Sequence, residues 1–246
     1  MLKTFSITDI GRKRKQNQDY VFTSEIPVGP LENLFIVADG MGGHNAGDYA
    51  SKYAIATIVE EIEMSKDGIV AALEKAICSA NSHIRAKSRE NEDMIGMGTT
   101  VVAATIKDDI MCVANVGDSR LYVINDEVRQ ITVDHSLVEE MVRMGGIGRE
   151  QARVHQDKNI ITRAIGAEDE IKIDFFQVEL RKGDMILLCS DGLTNMVEDE
   201  EIRMILLAQK DIAGKAEALV AAANQNGGKD NITVILIEPF ADEVNR

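Results

Sequence analysis

The sequence has few of the residues that interrupt or cross-link a chain. It contains 3 prolines and 3 cysteines in 246 residues, with no Pro/Gly/Ser-rich linker and no internal repeat. A chain of this length is typical of one α/β or all-β domain, which commonly spans about 200–250 residues. We therefore predict one continuous domain over residues 1–246.

The cysteines, Cys78, Cys112 and Cys189, are odd in number and widely spaced, and each has apolar neighbours. No C-x-x-C pair is present, so the spacing favours neither a disulfide framework nor a zinc site. Buried, reduced thiols are the simpler interpretation, and they predict a reducing, cytoplasmic environment.

Basic residues are also scarce, because 27 lysines and arginines face 41 acidic residues and give a net charge of −14. Proteins that bind nucleic acid or anionic membranes generally need a basic excess to neutralise phosphates. The one basic cluster, Arg12–Lys15, is too short to invert this balance and would by itself be read as solvated surface. No apolar stretch reaches the roughly 18 residues of a membrane helix, and the first residues lack the apolar core of a signal peptide. We expect a cytoplasmic monomer without nucleic-acid or membrane partners.

Hydrophobic patterning predicts ten strands and five helical segments. The links between the central strands are too short for helical crossovers, so those strands should run antiparallel. The predicted fold class is α+β: a four-layer α/β/β/α sandwich of two antiparallel sheets covered by helices. The predicted strands are Thr4–Ile7, Tyr20–Thr23, Leu34–Ala38, Thr99–Ile106, Ile110–Val116, Leu121–Ile124, Val128–Ile131, Ile171–Leu180, Met185–Cys189 and Ile232–Ile237. The predicted helices cover Ala50–Ile62, Ile69–Ile84, a short helix opened by a capping box at Ser136–Glu139, Glu200–Leu207 and Ile212–Ala223.

Several familiar catalytic motifs are missing. The chain has no G-x-x-x-x-G-K-[ST] phosphate loop, no G-x-S-x-G elbow and no H-E-x-x-H. Its four histidines show no paired metal-ligand spacing, which argues against a zinc site; they are His44, His83, His135 and His155.

Aspartates at strand ends are the chemical signal that remains. Asp39 and Asp191 each end an apolar run at an Asp-Gly pair, Asp118 follows a strand, and Asp230 precedes the last strand. Asp-Gly commonly marks a hairpin turn, but both pairs here lead towards helices instead. Carboxylates gathered at strand ends indicate a site for a hard divalent cation, and oxygen-only ligation favours Mg²⁺ or Mn²⁺.

These residues belong to a longer ordered series. The motifs are, in order, Gly11-x-x-Arg14-x-x-Asn17-Gln18-Asp19, Val37-Ala38-Asp39-Gly40-Met41-Gly42-Gly43-His44, Gly98-Thr99-Thr100, Val116-Gly117-Asp118-Ser119-Arg120, Asp134-His135-Ser136-Leu137, Asn159-x-x-Thr162-Arg163-Ala164-x-Gly166, Ser190-Asp191-Gly192-Leu193 and Gly227-Gly228-x-Asp230-Asn231. On these motifs the chain resembles the metal-dependent protein phosphatases of the PPM (type-2C) group, specifically the compact bacterial members, and the resemblance covers almost the whole chain.

The resemblance implies a role for each residue. The implied catalytic group comprises Arg14, Asp39, Asp191 and Asp230, and Arg14 would bind the substrate phosphate. The implied metal ligands are Asp19 (mostly through water), Asp39 as a bridge, the carbonyl of Gly40, Asp118, Asp191 and Asp230. Two Mn²⁺ or Mg²⁺ ions would bind, and Asp118 with Asp191 resembles the site of a third. Residues from about 136 to 166 resemble a flap beside the site.

Simple electrostatics agrees with a metal requirement. The five aspartates give a bare site a charge of −5, which would repel a phosphate dianion. Two divalent ions and Arg14 bring that charge to zero, and the ions would activate water for direct attack on phosphorus. The proton donor for the leaving oxygen stays open, because Met41 occupies the position after Asp-Gly where some members have histidine. His44 and a metal-bound water are the alternatives.

The resulting hypothesis is a protein serine/threonine phosphatase whose substrates are phosphoproteins, including those of a bacterial eukaryotic-like Ser/Thr kinase and the kinase itself. Two alternatives remain: a catalytically inactive binding or regulatory module on the same fold, and a phosphatase of a small phosphate ester. Loss of the metal-binding aspartates would indicate the inactive module, and all five are present.

Overall fold

The computed structural model describes residues 2–43, 46–90 and 92–241. The strands are β1 (Lys3–Asp9), β2 (Asp19–Ser24), β3 (Leu34–Met41), β4 (Gly98–Thr99), β5 (Val101–Lys107), β6 (Ile110–Val116), β7 (Arg120–Ile124), β8 (Val128–Gln130), β9 (Asp174–Glu179), β10 (Met185–Cys189) and β11 (Ile232–Glu238). The helices are α1 (Ala46–Met64), α2 (Ile69–Glu90), α3 (Leu137–Arg143), α4 (Arg149–Val154), α5 (Asp191–Thr194), α6 (Asp199–Leu207) and α7 (Ile212–Gln225).

The strands form two antiparallel sheets. One has the order β1-β11-β10-β7-β8, and the other has the order β2-β3-β5-β6-β9 with β4 paired to β3. The neighbouring strands of both sheets pair antiparallel, as the short connections predicted. The predicted α+β class with two antiparallel sheets and covering helices is confirmed.

Three apolar cores separate four layers. In β3, Leu34, Ile36 and Ala38 pack against α1 and α2, while Phe35 and Val37 enter the core between the two sheets. Strand β11 alternates in the same way between the inter-sheet core and the core beneath α5 to α7. Because the central strands are buried on both faces, their sequences read as continuous apolar runs.

The covering helices follow the predicted periodicity. Ala50, Ala54, Ile58 and Ile62 on α1 are all fully buried at a spacing of four residues. Such a stripe is the face that an amphipathic helix turns towards a sheet. None of the helices in the described ranges is long and apolar enough to span a membrane.

The predictions fail locally in several places. The predicted strand Thr99–Ile106 is divided at Thr100 into β4 and β5, and the one-turn helix α5 was not predicted. Strand β9 begins at Asp174 instead of Ile171, because its partner β6 has turned away by Gly117 and the last pair is Asn115 with Asp174. Helix α4 lies in the flap-like segment from 136 to 166, where only the short helix after Ser136 was predicted. The capping box is half formed: Ser136 Oγ accepts from Glu139 N at 3.3 Å, but the Glu139 carboxylate accepts from Arg149.

The three cysteines are free, as expected, but only one of them is fully buried. Cys189 is fully buried in the core beneath α5 to α7, whereas Cys78 and Cys112 are half-buried. The prediction of three buried thiols is therefore wrong for two of them, since Cys78 lies on a helix and Cys112 on a strand where each is only partly covered.

A buried amide couples the β2–β3 connection to β5. Asn33 donates to the Ile106 carbonyl at 2.8 Å and accepts from the Ile106 N–H at 2.7 Å, so it replaces one pair of sheet hydrogen bonds. We expect Asn33→Ala to lower the free energy of unfolding by about 1–3 kcal/mol, because it leaves the buried N–H and carbonyl of Ile106 without their hydrogen-bond partner. Urea denaturation would measure the loss. Gln225→Ala, which removes an exposed amide at the end of α7, is the control and should change stability by less than about 0.5 kcal/mol.

Candidate active site

The candidate site lies where strand ends from both sheets meet. Asp19 opens β2 and is the cross-strand partner of Asp39 on β3. From the other sheet, Asp191 lies two residues after the end of β10, and Asp230 lies two residues before the start of β11. A cavity of about 230 Å³ is lined by Asp39, Asp118, Asp191, Asp230, Arg14 and the Gly40–Gly42 turn, with Asn159 and Ile161 on its far wall. The structure thus gathers the carboxylates that the sequence places far apart.

Asp19 ties the two sheets together from beneath this cavity. Its Oδ2 accepts hydrogen bonds from Ser190 Oγ and Thr233 Oγ1, both at 2.7 Å. Ser190 in turn accepts from Thr233 N at 3.0 Å. Asp19 is 4% exposed, yet among the described residues its Oδ1 has no hydrogen-bond partner.

Asp39 is fixed mainly through its backbone. Its N–H donates to Thr100 Oγ1 at 3.0 Å, and its carbonyl accepts from Thr100 N and Thr99 Oγ1, both at 2.9 Å. Thr100 Oγ1 also lies 2.7 Å from Ser119 Oγ, next to Asp118. The carboxylate of Asp39 therefore points into the cavity from a backbone that is bonded on both sides.

The hydroxyl-bearing residues of the site were not among the predicted functional residues. Ser190, Thr99 and Thr100 each adjoin an aspartate or its neighbouring strand, and that adjacency was the available signal. Thr233 carries no such signal, because only folding brings it to Asp19, 214 residues away along the chain.

The clustered carboxyl groups shift one another's titration. Burial, followed by the negative charges of the surrounding aspartates, raises the pKa of Asp39 and of Asp118 well above the usual range. Burial also raises the pKa of Asp19 to about 7 and that of Asp191 to about 6, with Asp230 contributing to both. A hydrogen bond from Asp39 partly lowers the pKa of Asp191. These shifts favour protonation of the carboxyl groups, because the cations near them offset only part of their charge.

The donor set fits a divalent cation. Besides Asp19 Oδ1, Asp191 Oδ1 is buried without a hydrogen-bond partner among the described residues. Every candidate ligand is oxygen, the donor that Mg²⁺ and Mn²⁺ prefer. Within the described ranges, no three acidic, cysteine or histidine side chains already converge as a closed ligand set. An ion that keeps several waters and uses one or two carboxylates, as Mg²⁺ usually does, is compatible with this open arrangement.

Arg14 is the cation of the site. Its NH2 donates to Asp230 Oδ2 at 2.6 Å, and about half of its side chain is exposed. Partial burial opposes the charge, but the bond to Asp230 and its negative charge raise the pKa of Arg14, so it remains protonated. The arginine and the aspartates that the resemblance grouped together do lie side by side.

A buried histidine supports the loop that carries Asp118. His135 Nδ1 accepts from Gly117 N at 2.9 Å, and His135 N donates to the Gly117 carbonyl at 3.0 Å. Its Nε2 lies 2.8 Å from Arg163 Nη1 and 3.3 Å from Asp174 Oδ2. Burial and the adjacent Arg163 lower the pKa of His135, consistent with a neutral ring. This geometry favours a structural role for His135 over contact with a substrate.

The remaining histidines contribute less. His83 is exposed on α2, with its ring 6.3 Å from that of Tyr53. His155 is half-buried beside Asp157 in the segment from 136 to 166. His44, an alternative for the proton donor, lies outside the described residues. Met41 lines the cavity and carries no titratable proton.

The segment from 136 to 166 is anchored at its base and covers one side of the site. Ser136 pairs with Ile161, and Thr99 pairs with Ile165 through two backbone hydrogen bonds of 3.0 and 2.9 Å. A second cavity of about 310 Å³ lies between α3, α4 and α6, and shares Asp118 and Asp191 with the first.

This layered fold with a carboxylate-rich, oxygen-donor centre is shared with known proteins. The family model for protein phosphatase 2C matches residues 11–236, and the chain belongs to that family. It is 43% identical to the serine/threonine phosphatase stp of Listeria innocua, over 94% of this chain and 93% of the relative.

Two solved structures show the same architecture. The serine/threonine phosphatase Stp1 from Staphylococcus aureus superposes with a TM-score of 0.89 at 36% identity, covering 97% of this chain and 95% of the other. The catalytic domain of the serine/threonine phosphatase PstP, solved with 2 manganese ions, gives a TM-score of 0.84 at 35% identity, covering 96% and 97%.

The raised carboxyl pKa values predict that metal and protons compete for the site. In the metal-free protein, these carboxyl groups have a folded-state pKa above the unfolded value of about 3.9. Their protonation therefore stabilises the folded state in acid, and this contribution declines as the pH rises through about 6 to 7. Mn²⁺ should therefore raise the melting temperature more at pH 8 than at pH 5.5. At a concentration 100 times its Kd, the stabilisation would be about 2.7 kcal/mol.

Thermal denaturation in EDTA and in Mn²⁺ at both pH values measures this competition. Asp19→Asn should shrink both the Mn²⁺ increment and its pH dependence, whereas Glu217→Gln, which removes an exposed charge from α7, should leave them unchanged. Equal increments at the two pH values would contradict a carboxylate site for the ion.

The His135 geometry makes a separate prediction from two amide substitutions. In His135→Asn the new amide oxygen could lie near the position of Nδ1 and still accept from Gly117, whereas the longer side chain of His135→Gln could reach only towards Asp174. We expect His135→Gln to cost about 1–3 kcal/mol more than His135→Asn, because the buried Gly117 N–H loses its acceptor. Urea denaturation in EDTA measures both variants, and the reverse order would show that the bond to Asp174 is the more important one.

Proposed function

We propose that this protein hydrolyses phosphoserine and phosphothreonine in other proteins, using Mn²⁺ or Mg²⁺. The observation that carries the proposal is the cluster of buried and half-buried carboxylates from both sheets, in which Asp19 Oδ1 and Asp191 Oδ1 have no partner among the described residues, beside the half-exposed guanidinium of Arg14. Membership of the protein phosphatase 2C family and the serine/threonine phosphatases among its relatives support it.

The aspartates would act as holders of metal ions. In this proposal Asp39, Asp191, Asp230 and the Gly40 carbonyl hold two ions, and Asp118 with Asp191 holds a third. Asp19 lies behind them, oriented by two hydroxyl groups. When bound, such ions supply Lewis acidity and lower the pKa of water to about 7. The two manganese ions named for the PstP structure support a count of at least two.

Arg14 would bind the phosphate group of the substrate. A guanidinium can donate to two phosphate oxygens at once, which an ammonium cannot. In the structure, one donor group of Arg14 is hydrogen-bonded to Asp230. Once Asp230 serves as an ion ligand, its negative charge is balanced and Arg14 becomes available to the phosphate. Metal binding and phosphate binding are thereby linked through one carboxylate.

The biological setting follows from the same hypothesis. We infer that the protein acts as a cytoplasmic monomer in signalling, on phosphoproteins made by a Ser/Thr kinase and on that kinase itself. The acidic composition and the free cysteines support this setting.

Phosphate release from a phosphothreonine peptide tests the function. We expect release with Mn²⁺, none in EDTA, and a fall of at least about 100-fold in kcat/KM for Asp191→Asn, because loss of a ligand should exceed the 10–100-fold typical of residues that merely support one. Glu217→Gln should retain wild-type activity.

The other outcomes separate the alternatives. Release that persists in EDTA would contradict the metal-dependent mechanism. Hydrolysis of small phosphate esters but of no phosphopeptide would indicate a small-molecule phosphatase. Metal binding without hydrolysis of either substrate would indicate a binding module.

A further inference from the structure

The basic run at residues 12–15 lies on the rim of the candidate site. Arg12 N and Lys13 N donate to the Gly228 carbonyl at 2.7 and 3.2 Å. The buried side chain of Asn231 donates to the carbonyls of Ile10 and Gln16 at 2.9 and 3.0 Å. The loop that carries the basic run is therefore bound along its length to the turn that carries Asp230.

Two glycines permit this close approach. A Cβ on Gly11, whose φ is +79°, would lie 2.1 Å from the Asp230 carbonyl oxygen. A Cβ on Gly228, whose φ is +50°, would lie 2.7 Å from Arg12 Cγ. Lys229 follows Gly228 directly and so joins the same surface. We call Arg12, Lys13, Lys15 and Lys229 the basic rim.

The basic rim is exposed and unpaired. All four side chains belong to exposed residues, and none forms an ion pair within the part of the chain that the structure describes. Arg14, in the middle of the run, differs because it turns inward to Asp230. On a chain of net charge −14, four free cations beside one cavity form a local positive field.

Positive charge continues across the mouth of the site. Lys158 lines the adjoining cavity together with Asp191. Burial, followed by the positive charges of Lys229 and Arg153, lowers the pKa of Lys158. Lys158 and Lys229 are therefore near enough to repel each other, and Lys158 extends the positive charge towards Asp191.

We propose that the basic rim binds acidic side chains that flank the phosphorylated residue of a protein substrate. This inference rests on the proposed function and names its preferred substrate class. An extended peptide advances about 3.3 Å per residue and turns alternate side chains to the same side. With its phosphate at Arg14, aspartates or glutamates within the next few residues would pass over the rim, whereas the acidic surface elsewhere would repel them.

The test compares phosphothreonine peptides that differ only in flanking charge. One peptide carries three glutamates on one side of the phosphothreonine, a second carries them on the other side, and a third carries glutamines. We expect wild-type protein with Mn²⁺ to favour one glutamate peptide over the glutamine peptide by about tenfold in kcat/KM at low salt, the lower end of typical electrostatic rate enhancement. The preference should shrink at about 0.5 M salt, where screening is stronger.

Two variants of equal charge locate the effect. The rim variant combines Arg12→Gln, Lys13→Gln, Lys15→Gln and Lys229→Gln, and should lose the preference. The control variant combines Lys3→Gln, Lys66→Gln, Arg129→Gln and Lys210→Gln, which are exposed cations on other parts of the surface, and should keep it. Both should keep the wild-type kcat at saturating p-nitrophenyl phosphate, because this substrate has no flanking residues and both variants retain Arg14 and the aspartates.

The outcomes distinguish this proposal from the proposed function. Equal hydrolysis of all three peptides, or equal loss in the control variant, would overturn the rim proposal and leave the phosphatase intact. Failure to hydrolyse any phosphopeptide would overturn both.

Discussion

Asp19, which is buried, and Asp39 and Asp191, which are half-buried, repel one another, and the rest of the site is arranged around that repulsion. In a metal-free chain the cost is met by protons, as the raised pKa values of these carboxyl groups show. A divalent cation would remove the same cost by balancing the charge of the carboxylates without protonating them. The incompletely paired carboxyl groups therefore give the site its affinity for cations.

Neutral hydrogen bonds hold the repelling groups in place. The hydroxyls of Ser190 and Thr233 fix Asp19 from the opposite sheet, and the backbone of Asp39 is clamped by Thr100. Hydroxyl donors favour a carboxylate geometry without adding the full positive charge that would compete with an ion. A lysine in place of either hydroxyl would satisfy Asp19, but it would also neutralise the site.

Much of this architecture could be predicted from the sequence, for identifiable reasons. Strands buried on both faces appear as unbroken apolar runs, and α1 shows its buried stripe at a spacing of four residues. The Asp-Gly pairs at residues 39 and 191 could be separated from hairpin turns because helices follow them.

The missed features depend on long-range contacts or on weak local preference. The start of β9 is set by where β6 turns away, which its own residues do not record. The bond between Thr233 and Asp19, and the pairing of Arg14 with Asp230, join residues more than 200 positions apart. Helix α4 had a usable signal in Glu150, Gln151 and Ala152, which are good helix formers, but it is only six residues long.

Two opposing electrostatic requirements of the site are met in different parts of the structure. Ion binding requires concentrated negative charge, while approach of a phosphorylated segment requires a surface that does not repel it. The carboxylates lie at the floor, where ions would balance them, and the free cations lie on the exposed loop above. Arg14 connects the two levels, because it projects from the basic run and contacts Asp230. Since Gly11 and Gly228 allow these loops to touch, a bulkier residue at either position would separate the two levels even with every charged residue retained.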